Sequence, residues 1–184
     1  MERSKSKKIY IIQMHTKTIP SRIIKLFTKY DYSHIGISFD KSCNTIYSFG
    51  RKKYNSILDA GFVVEHKNGK FFEKFKDTKC RIYELSITKD QYFKIKKRIV
   101  YMKNHQQLFK YDYVGIFLRY FKIPVSFKHK YVCSYFIADI LEDADIYKFD
   151  KKIYFIEPKD FENIENINEI YSGKYLLYEK ESGL

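Results

Sequence analysis

The stretch Lys130-Tyr-Val-Cys-Ser-Tyr-Phe-Ile-Ala-Asp-Ile-Leu141 places a cysteine at the start of an apolar helix. In the first turn of a helix, unpaired N–H groups and the positive end of the dipole favour a thiolate over a thiol. Cys133 is therefore a candidate nucleophile, provided that the fold brings a histidine to it. After it, apolar residues recur with the spacing of one buried helical face, at Phe136, Ile137, Ile140, Leu141 and Ala144.

Length and composition predict a single globular domain over residues 1–184. Hydrophobic residues make up 45% of the chain and charged residues 31%, a balance that excludes a disordered protein. No apolar run approaches the ~20 residues of a membrane span, and none fits a signal peptide. The sparse cysteines, Cys43, Cys80 and Cys133, give no disulfide framework. We expect a cytoplasmic protein, either free or peripheral at a membrane.

The net charge of +13 fits nucleic acid, an anionic membrane surface or an acidic polymer as a partner. The lysines are scattered, and no RNA- or DNA-binding motif accompanies them. We therefore expect a weak attraction to anionic surfaces and no dedicated nucleic-acid site. A basic nucleic-acid-binding protein is a rival interpretation, because charge and aromatic residues are both abundant.

Strand patterns dominate the N-terminal half of the chain. Ile35, Ile37 and Phe39 alternate with small or polar residues, which predicts a strand. Residues 40–44 predict a turn, after which residues 45–50 pair back as the second arm of a hairpin. The other segments with a strand pattern are 8–14, 79–85 and 175–178, whereas 61–65 fits either a short strand or a turn.

Further helices are predicted besides the one that begins at Cys133. One begins at Pro20, whose missing N–H costs nothing at the first helical position. A second begins after Thr88, which forms a capping box with Gln91. A third covers residues 111–121. The predicted fold class is α+β, with an antiparallel sheet packed against helices that include the cysteine helix.

His34 is the histidine best placed to meet Cys133, because it begins a predicted core strand whose packing would hold the imidazole. If the cysteine helix packs on that strand, the imidazole takes the thiol proton and the imidazolium stabilises the thiolate. Periodicity alone does not join the two residues. A strand histidine can be structural, and a helix cysteine can be a small buried hydrophobe.

The motifs Ser33-His-Ile-Gly-Ile37 and Val132-Cys-Ser-Tyr-Phe-Ile-Ala-Asp-Ile-Leu141 resemble the circularly permuted branch of the NlpC/P60 papain-like superfamily. That branch includes the YiiX/YaeF-like proteins and the lecithin:retinol acyltransferase-like group, and the resemblance covers roughly residues 8–165. It implies a permuted papain-like fold and a thiol hydrolase, either an amidase or peptidase or an enzyme that hydrolyses or transfers lipid acyl groups. In such an enzyme Cys133 attacks the carbonyl carbon of an amide or ester, and His34 is the general base. Peptides, acyl amides and lipids are the implied substrates.

The resemblance also implies a polar residue that orients the imidazole, on the strand after the histidine strand. This position falls near Ser48, with Tyr47 and Glu65 as fallback candidates. Because a serine supplies no charge to stabilise an imidazolium, a catalytically weak or inactive ligand-binding protein is a second rival. The family's oxyanion hole uses the N–H of the cysteine itself, to which Tyr32 could add a phenolic donor.

The acidic residues near the cysteine helix are Asp139, Glu142, Asp143 and Asp145. No histidine or cysteine accompanies them at ligand spacing, so we expect solvated charges and assign no metal site and no cofactor. The remaining thiols lie in a predicted turn and a predicted strand, and we expect neither to be activated.

Overall fold

A sheet with a doubly buried central strand forms the centre of the fold. The computed structural model describes residues 6–15, 30–53, 56 and 59–179. In the first strand every residue from Ile9 to Met14 is buried, as expected for a continuous apolar run. Within the described ranges the strands are β1 (Lys7–His15), β2 (His34–Ser38), β3 (Thr45–Arg51), β4 (Ala60–His66), β5 (Lys79–Ile87), β6 (Lys110–Tyr111), β7 (Lys130–Tyr131) and β8 (Asn168–Lys174).

The strands follow the order β7-β6-β4-β3-β2-β1-β5-β8 across the sheet. Neighbouring strands are antiparallel except β6 and β7, which run parallel at one edge. The predicted hairpin is present as β2 and β3, with Ile37 opposite Tyr47. The segment that fitted a strand or a turn is a strand, β4, and it pairs with β3 along its full length. The fold is α+β, as predicted.

Two helices of the described residues begin where local sequence signals place them. Gln91 N donates to Thr88 Oγ1 at 3.2 Å and Thr88 N donates to Gln91 Oε1 at 2.9 Å, which confirms the capping box. The cysteine helix begins at Cys133. The helix predicted from Pro20 lies outside the described residues. The described α-helices are α1 (Lys70–Lys74), α2 (Lys89–Asn104), α3 (Tyr113–Tyr120) and α4 (Cys133–Asp143), none long and apolar enough to span a membrane.

The strand predicted at 175–178 is wrong. The last strand is β8, and Tyr175–Leu177 form a turn of 3-10 helix immediately after it. Tyr175 and Tyr178 are both buried in the same core, and one helical turn brings residues three apart to the same side. The Tyr175 hydroxyl also donates to the carbonyl oxygen of Cys43 at 2.6 Å, which fixes this turn against the sheet.

Separate hydrophobic cores lie on the two faces of the sheet. On one face α2 and α4 pack against alternate residues of β1, β2 and β5, and this core includes Cys133 and Phe136. On the other face Phe72 of α1 packs with Cys43 and Cys80. The three thiols are thereby divided between the cores, and only Cys133 belongs to the core that contains the cysteine helix.

The expectation of solvated charges is wrong for Asp139. Its carboxylate pairs with the Arg98 guanidinium of α2, and Asp143 lies 3.5 Å from the same guanidinium. Glu142 Oε1 accepts a hydrogen bond from the Phe149 N–H at 3.1 Å. These contacts connect α4 to α2 and to the chain that follows α4, so the carboxylates help to hold the cysteine helix in place.

Gly61 of β4 lets the backbone at Phe109 approach the sheet closely. A Cβ at Gly61 would lie 2.3 Å from the Phe109 carbonyl oxygen, so Gly61→Ala must displace the backbone next to β6. We expect Gly61→Ala to lower the free energy of unfolding by about 1–3 kcal/mol, measured by urea denaturation. Gly50→Ala is the matched control, because Gly50 lies opposite Gly61 and its added Cβ would meet its nearest neighbour at 3.4 Å. Equal losses in the two variants would contradict the prediction.

Candidate active site

Cys133 and His34 meet where the cysteine helix packs on the histidine strand. Cys133 is the first residue of α4, and His34 is the first residue of β2. The two side chains lie close enough that each is a main cause of the shift in the other's pKa. Cys133 is only 5% exposed, so burial keeps most water away from the sulfur. The fold therefore brings together the predicted nucleophile and the predicted base.

The N-terminus of α4 is fixed by contacts on both sides of Cys133. The Val132 carbonyl oxygen accepts the first intrahelical hydrogen bond, from the Phe136 N–H at 2.9 Å. The buried Ser134 hydroxyl donates to the Ile156 carbonyl oxygen at 2.6 Å. Ser134 thus anchors the helix to the segment that follows it, and the cysteine sulfur is held in one position relative to β2.

Glu65 occupies the other side of the imidazole. Its Oε2 lies 3.1 Å from Nε2 of His34, and the two side chains are 14% and 16% exposed. A carboxylate at this position accepts the Nε2–H and fixes the orientation of the ring. The contact joins β4 to β2 across the intervening β3. Glu65 was a fallback candidate from the sequence, and the structure gives it the place predicted for Ser48.

The prediction that Ser48 orients His34 is wrong. The buried Ser48 hydroxyl donates instead to the Ile35 carbonyl oxygen at 2.6 Å, which ties β3 to β2. The ring nitrogen Nε2 of His34 is contacted by Glu65 and not by Ser48. Ser48 therefore supports the sheet beside the site rather than the ring itself.

The two tyrosines singled out from the sequence contact other groups. The Tyr47 ring packs against Phe39, with ring centroids 5.8 Å apart. The Tyr32 ring lies 5.7 Å from the Tyr30 ring and 5.2 Å from the Arg81 guanidinium. Neither contact places a phenol on the cysteine sulfur or on the imidazole.

The charges of Cys133 and His34 stabilise each other. Burial acts to lower the pKa of His34, but the Glu65 carboxylate and the Cys133 sulfur outweigh it and raise the pKa to about 10. Burial acts to raise the pKa of Cys133, but His34 and the N–H groups of Ile35 and Ser134 outweigh it and lower the pKa. The pair therefore favours a thiolate beside an imidazolium more strongly than an isolated cysteine and histidine would.

The other two thiols behave in the opposite way. Burial is the main cause that raises the pKa of Cys43 far above its ordinary value, and Asp40 adds to the effect. Burial also raises the pKa of Cys80 to about 12. Both thiols are protonated at neutral pH, which agrees with the expectation that neither is activated.

Polar side chains from β6 and α3 lie around Cys133, and the sequence analysis did not predict them. Tyr111 and Arg119 both interact electrostatically with Cys133. Burial lowers the pKa of Arg119, against the opposing charges of Asp112 and Cys133. Asp112 is itself buried and caps α3 by accepting the Gly115 N–H at 2.8 Å. The sequence could have predicted this cap, because Asp112 stands immediately before the apolar helix and an Asp there commonly accepts the N–H of the third helical residue.

Neither a protein-family model nor a curated protein matches this chain. The class of site therefore rests on the structure: a cysteine at a helix N-terminus, beside a strand histidine that in turn contacts a carboxylate. This order of groups is that of a Cys-His-acid nucleophilic site, in which the third group holds the base in place.

Proposed function

We propose that the protein is a cysteine hydrolase of the permuted NlpC/P60 papain-like type, acting on an amide or an ester. The observation that carries this proposal is the convergence of Cys133, His34 and Glu65: Glu65 contacts Nε2 of His34, and the charges of His34 and Cys133 act on each other. It joins the two sequence motifs on which the resemblance to that superfamily rests. The rival hypothesis of an inactive ligand-binding protein rested on the lack of a charge at Ser48 to stabilise the imidazolium. Glu65 supplies that charge.

In the proposed reaction the Cys133 thiolate attacks the carbonyl carbon, and the π electrons of the carbonyl move to its oxygen. The N–H groups in the first turn of α4, including that of Cys133, have no intrahelical partner and can stabilise this oxyanion. The His34 imidazolium then protonates the leaving amine or alcohol as the C–N or C–O bond breaks. A thioester between Cys133 and the acyl group remains.

Hydrolysis of the thioester reverses the role of His34. The neutral imidazole takes a proton from water, the resulting hydroxide attacks the thioester carbonyl, and the thiolate leaves. Glu65 keeps the ring oriented and stabilises its positive charge in both halves of the cycle. The substrate classes proposed for this site are peptides, acyl amides and lipids.

A small activated ester tests the proposed nucleophile directly. We expect p-nitrophenyl acetate to leave about one acetyl group per chain on Cys133, because a thioester intermediate forms before hydrolysis. Acid quenching, intact-mass spectrometry and peptide mapping measure the amount and the position of the label. Cys133→Ser is expected to remove the labelled thioester, and Cys43→Ser is expected to retain it. A label spread equally over the three cysteines would contradict the proposed function.

A further inference from the structure

We infer that α3 and the residues after it form a docking surface for an anionic lipid bilayer. The surface consists of Tyr113, Val114, Phe117, Phe121 and Ile123, and is called the α3 surface. This inference goes beyond the proposed hydrolase, because it assigns a binding partner to five side chains that have no role in the proposed reaction.

The α3 surface exposes large apolar side chains on one side of a short helix. Val114, Phe117 and Phe121 are 51%, 63% and 56% exposed. The ring centroids of Phe117 and Phe121 lie 5.1 Å apart, so the two rings form one patch. Five of the nine exposed large hydrophobic residues in the described part of the chain belong to this surface. Such a concentration marks an interaction site rather than scattered surface residues.

The charges that flank the α3 surface along the chain are mainly cationic. Between residues 103 and 130 the sequence has six lysines and arginines and one acidic residue, Asp112. Asp112 is buried and accepts the Gly115 N–H, so it does not neutralise the surface. Lys110, Lys122 and Lys128 are exposed. An apolar helix face flanked by lysines is the pattern by which helices lie in the interface of anionic membranes.

This combination favours a bilayer over other occupants. A second copy of the chain would bring cationic surroundings against each other, which repels. A nucleic acid would satisfy the lysines but leave the aliphatic Val114 and Ile123 without an apolar environment. Acyl chains and anionic headgroups satisfy both parts of the surface. The same helix carries Arg119, whose charge interacts with Cys133, so docking would bring the bilayer beside the candidate active site.

Vesicle flotation of the full chain tests the inference. We expect binding to phosphatidylcholine vesicles that contain phosphatidylglycerol, weak binding to phosphatidylcholine alone, and loss of binding at high salt. The double variant Phe117→Ser/Phe121→Ser is expected to bind the anionic vesicles at least about tenfold more weakly. Phe93→Ser is the matched control, because Phe93 is an α2 residue of similar exposure, 58%, outside the α3 surface. It is expected to bind as the wild type does.

Three results would overturn the inference. The first is equal vesicle binding by the double variant and the wild type. The second is equal binding to neutral and anionic vesicles. The third is self-association in sedimentation experiments that the double variant abolishes while vesicle binding persists. Cys133→Ser is expected to bind vesicles normally, so a failure of the proposed catalysis and a failure of docking can be distinguished. Circular dichroism of each variant checks that the fold is retained.

Discussion

Replacing His34 with alanine is expected to slow the alkylation of Cys133 at about pH 6 by at least about 100-fold. In the wild type the imidazolium lowers the pKa of Cys133, so we expect more of the reactive thiolate in mildly acidic solution than an ordinary cysteine provides. In His34→Ala the burial of the sulfur is no longer opposed by a neighbouring cation, and the pKa rises. The rate with iodoacetamide, followed by mass spectrometry over a range of pH, measures the change.

The same experiment contains its own control. Cys43 and Cys80 lie in the core on the other face of the sheet, and burial raises both pKa values. We expect both thiols to alkylate slowly in wild type and in His34→Ala alike. If Cys133 reacts no faster than these two in the wild type, it is not activated and the proposed mechanism fails. Faster reaction of all three thiols in the variant would instead reveal a loss of the fold.

Glu65→Gln is expected to shift the pH profile of Cys133 alkylation to higher pH and to lower the rate at about pH 6 about tenfold. The Glu65 carboxylate helps to raise the pKa of His34 to about 10. Glutamine keeps the size of the side chain but carries no charge, so the imidazolium loses its counter-ion and the pKa of His34 falls. The charged form of His34 is then less favoured and stabilises the Cys133 thiolate less. The inflection of the rate profile therefore moves to higher pH.

Ser48→Ala is the control for Glu65→Gln, because the sequence predicted that Ser48 would orient the His34 imidazole. Its hydroxyl bonds to the Ile35 carbonyl oxygen, so its loss weakens a contact between strands but leaves the charges around the imidazole intact. We expect an unchanged pH profile together with a small loss of thermal stability. A shift in Ser48→Ala but not in Glu65→Gln would reverse the assignment of the third residue.

Much of the fold and half of the candidate site follow from local sequence. The apolar face after Cys133 predicts α4, the capping box of Thr88 predicts the start of α2, and alternation around His34 predicts β2. These features depend on residues within a few positions of each other, which a sequence displays directly. The choice of Cys133 and His34 as partners needed the resemblance to a superfamily, since periodicity does not report which helix packs on which strand.

The features that the sequence did not predict depend on contacts between distant segments of the chain. Glu65 reaches His34 only because β4 pairs with β3 in one particular register, and the sequence of β4 alone does not specify that register. The same limit applies to Asp139, whose neighbour Arg98 lies on a different helix. The turn at Tyr175 was mistaken for a strand because four apolar residues in a row fit both structures, and burial against the second core decides between them.

The position of His34 at the head of the second strand, and of Cys133 after the seventh, has a consequence for synthesis of the chain. The ribosome delivers the base early and the nucleophile late, and the sulfur gains its partners only when the intervening strands have assembled. A nascent or partly folded chain therefore carries an ordinary thiol. The lowered pKa of Cys133 requires the assembled sheet, so under the proposed function the nucleophile forms only in the folded protein.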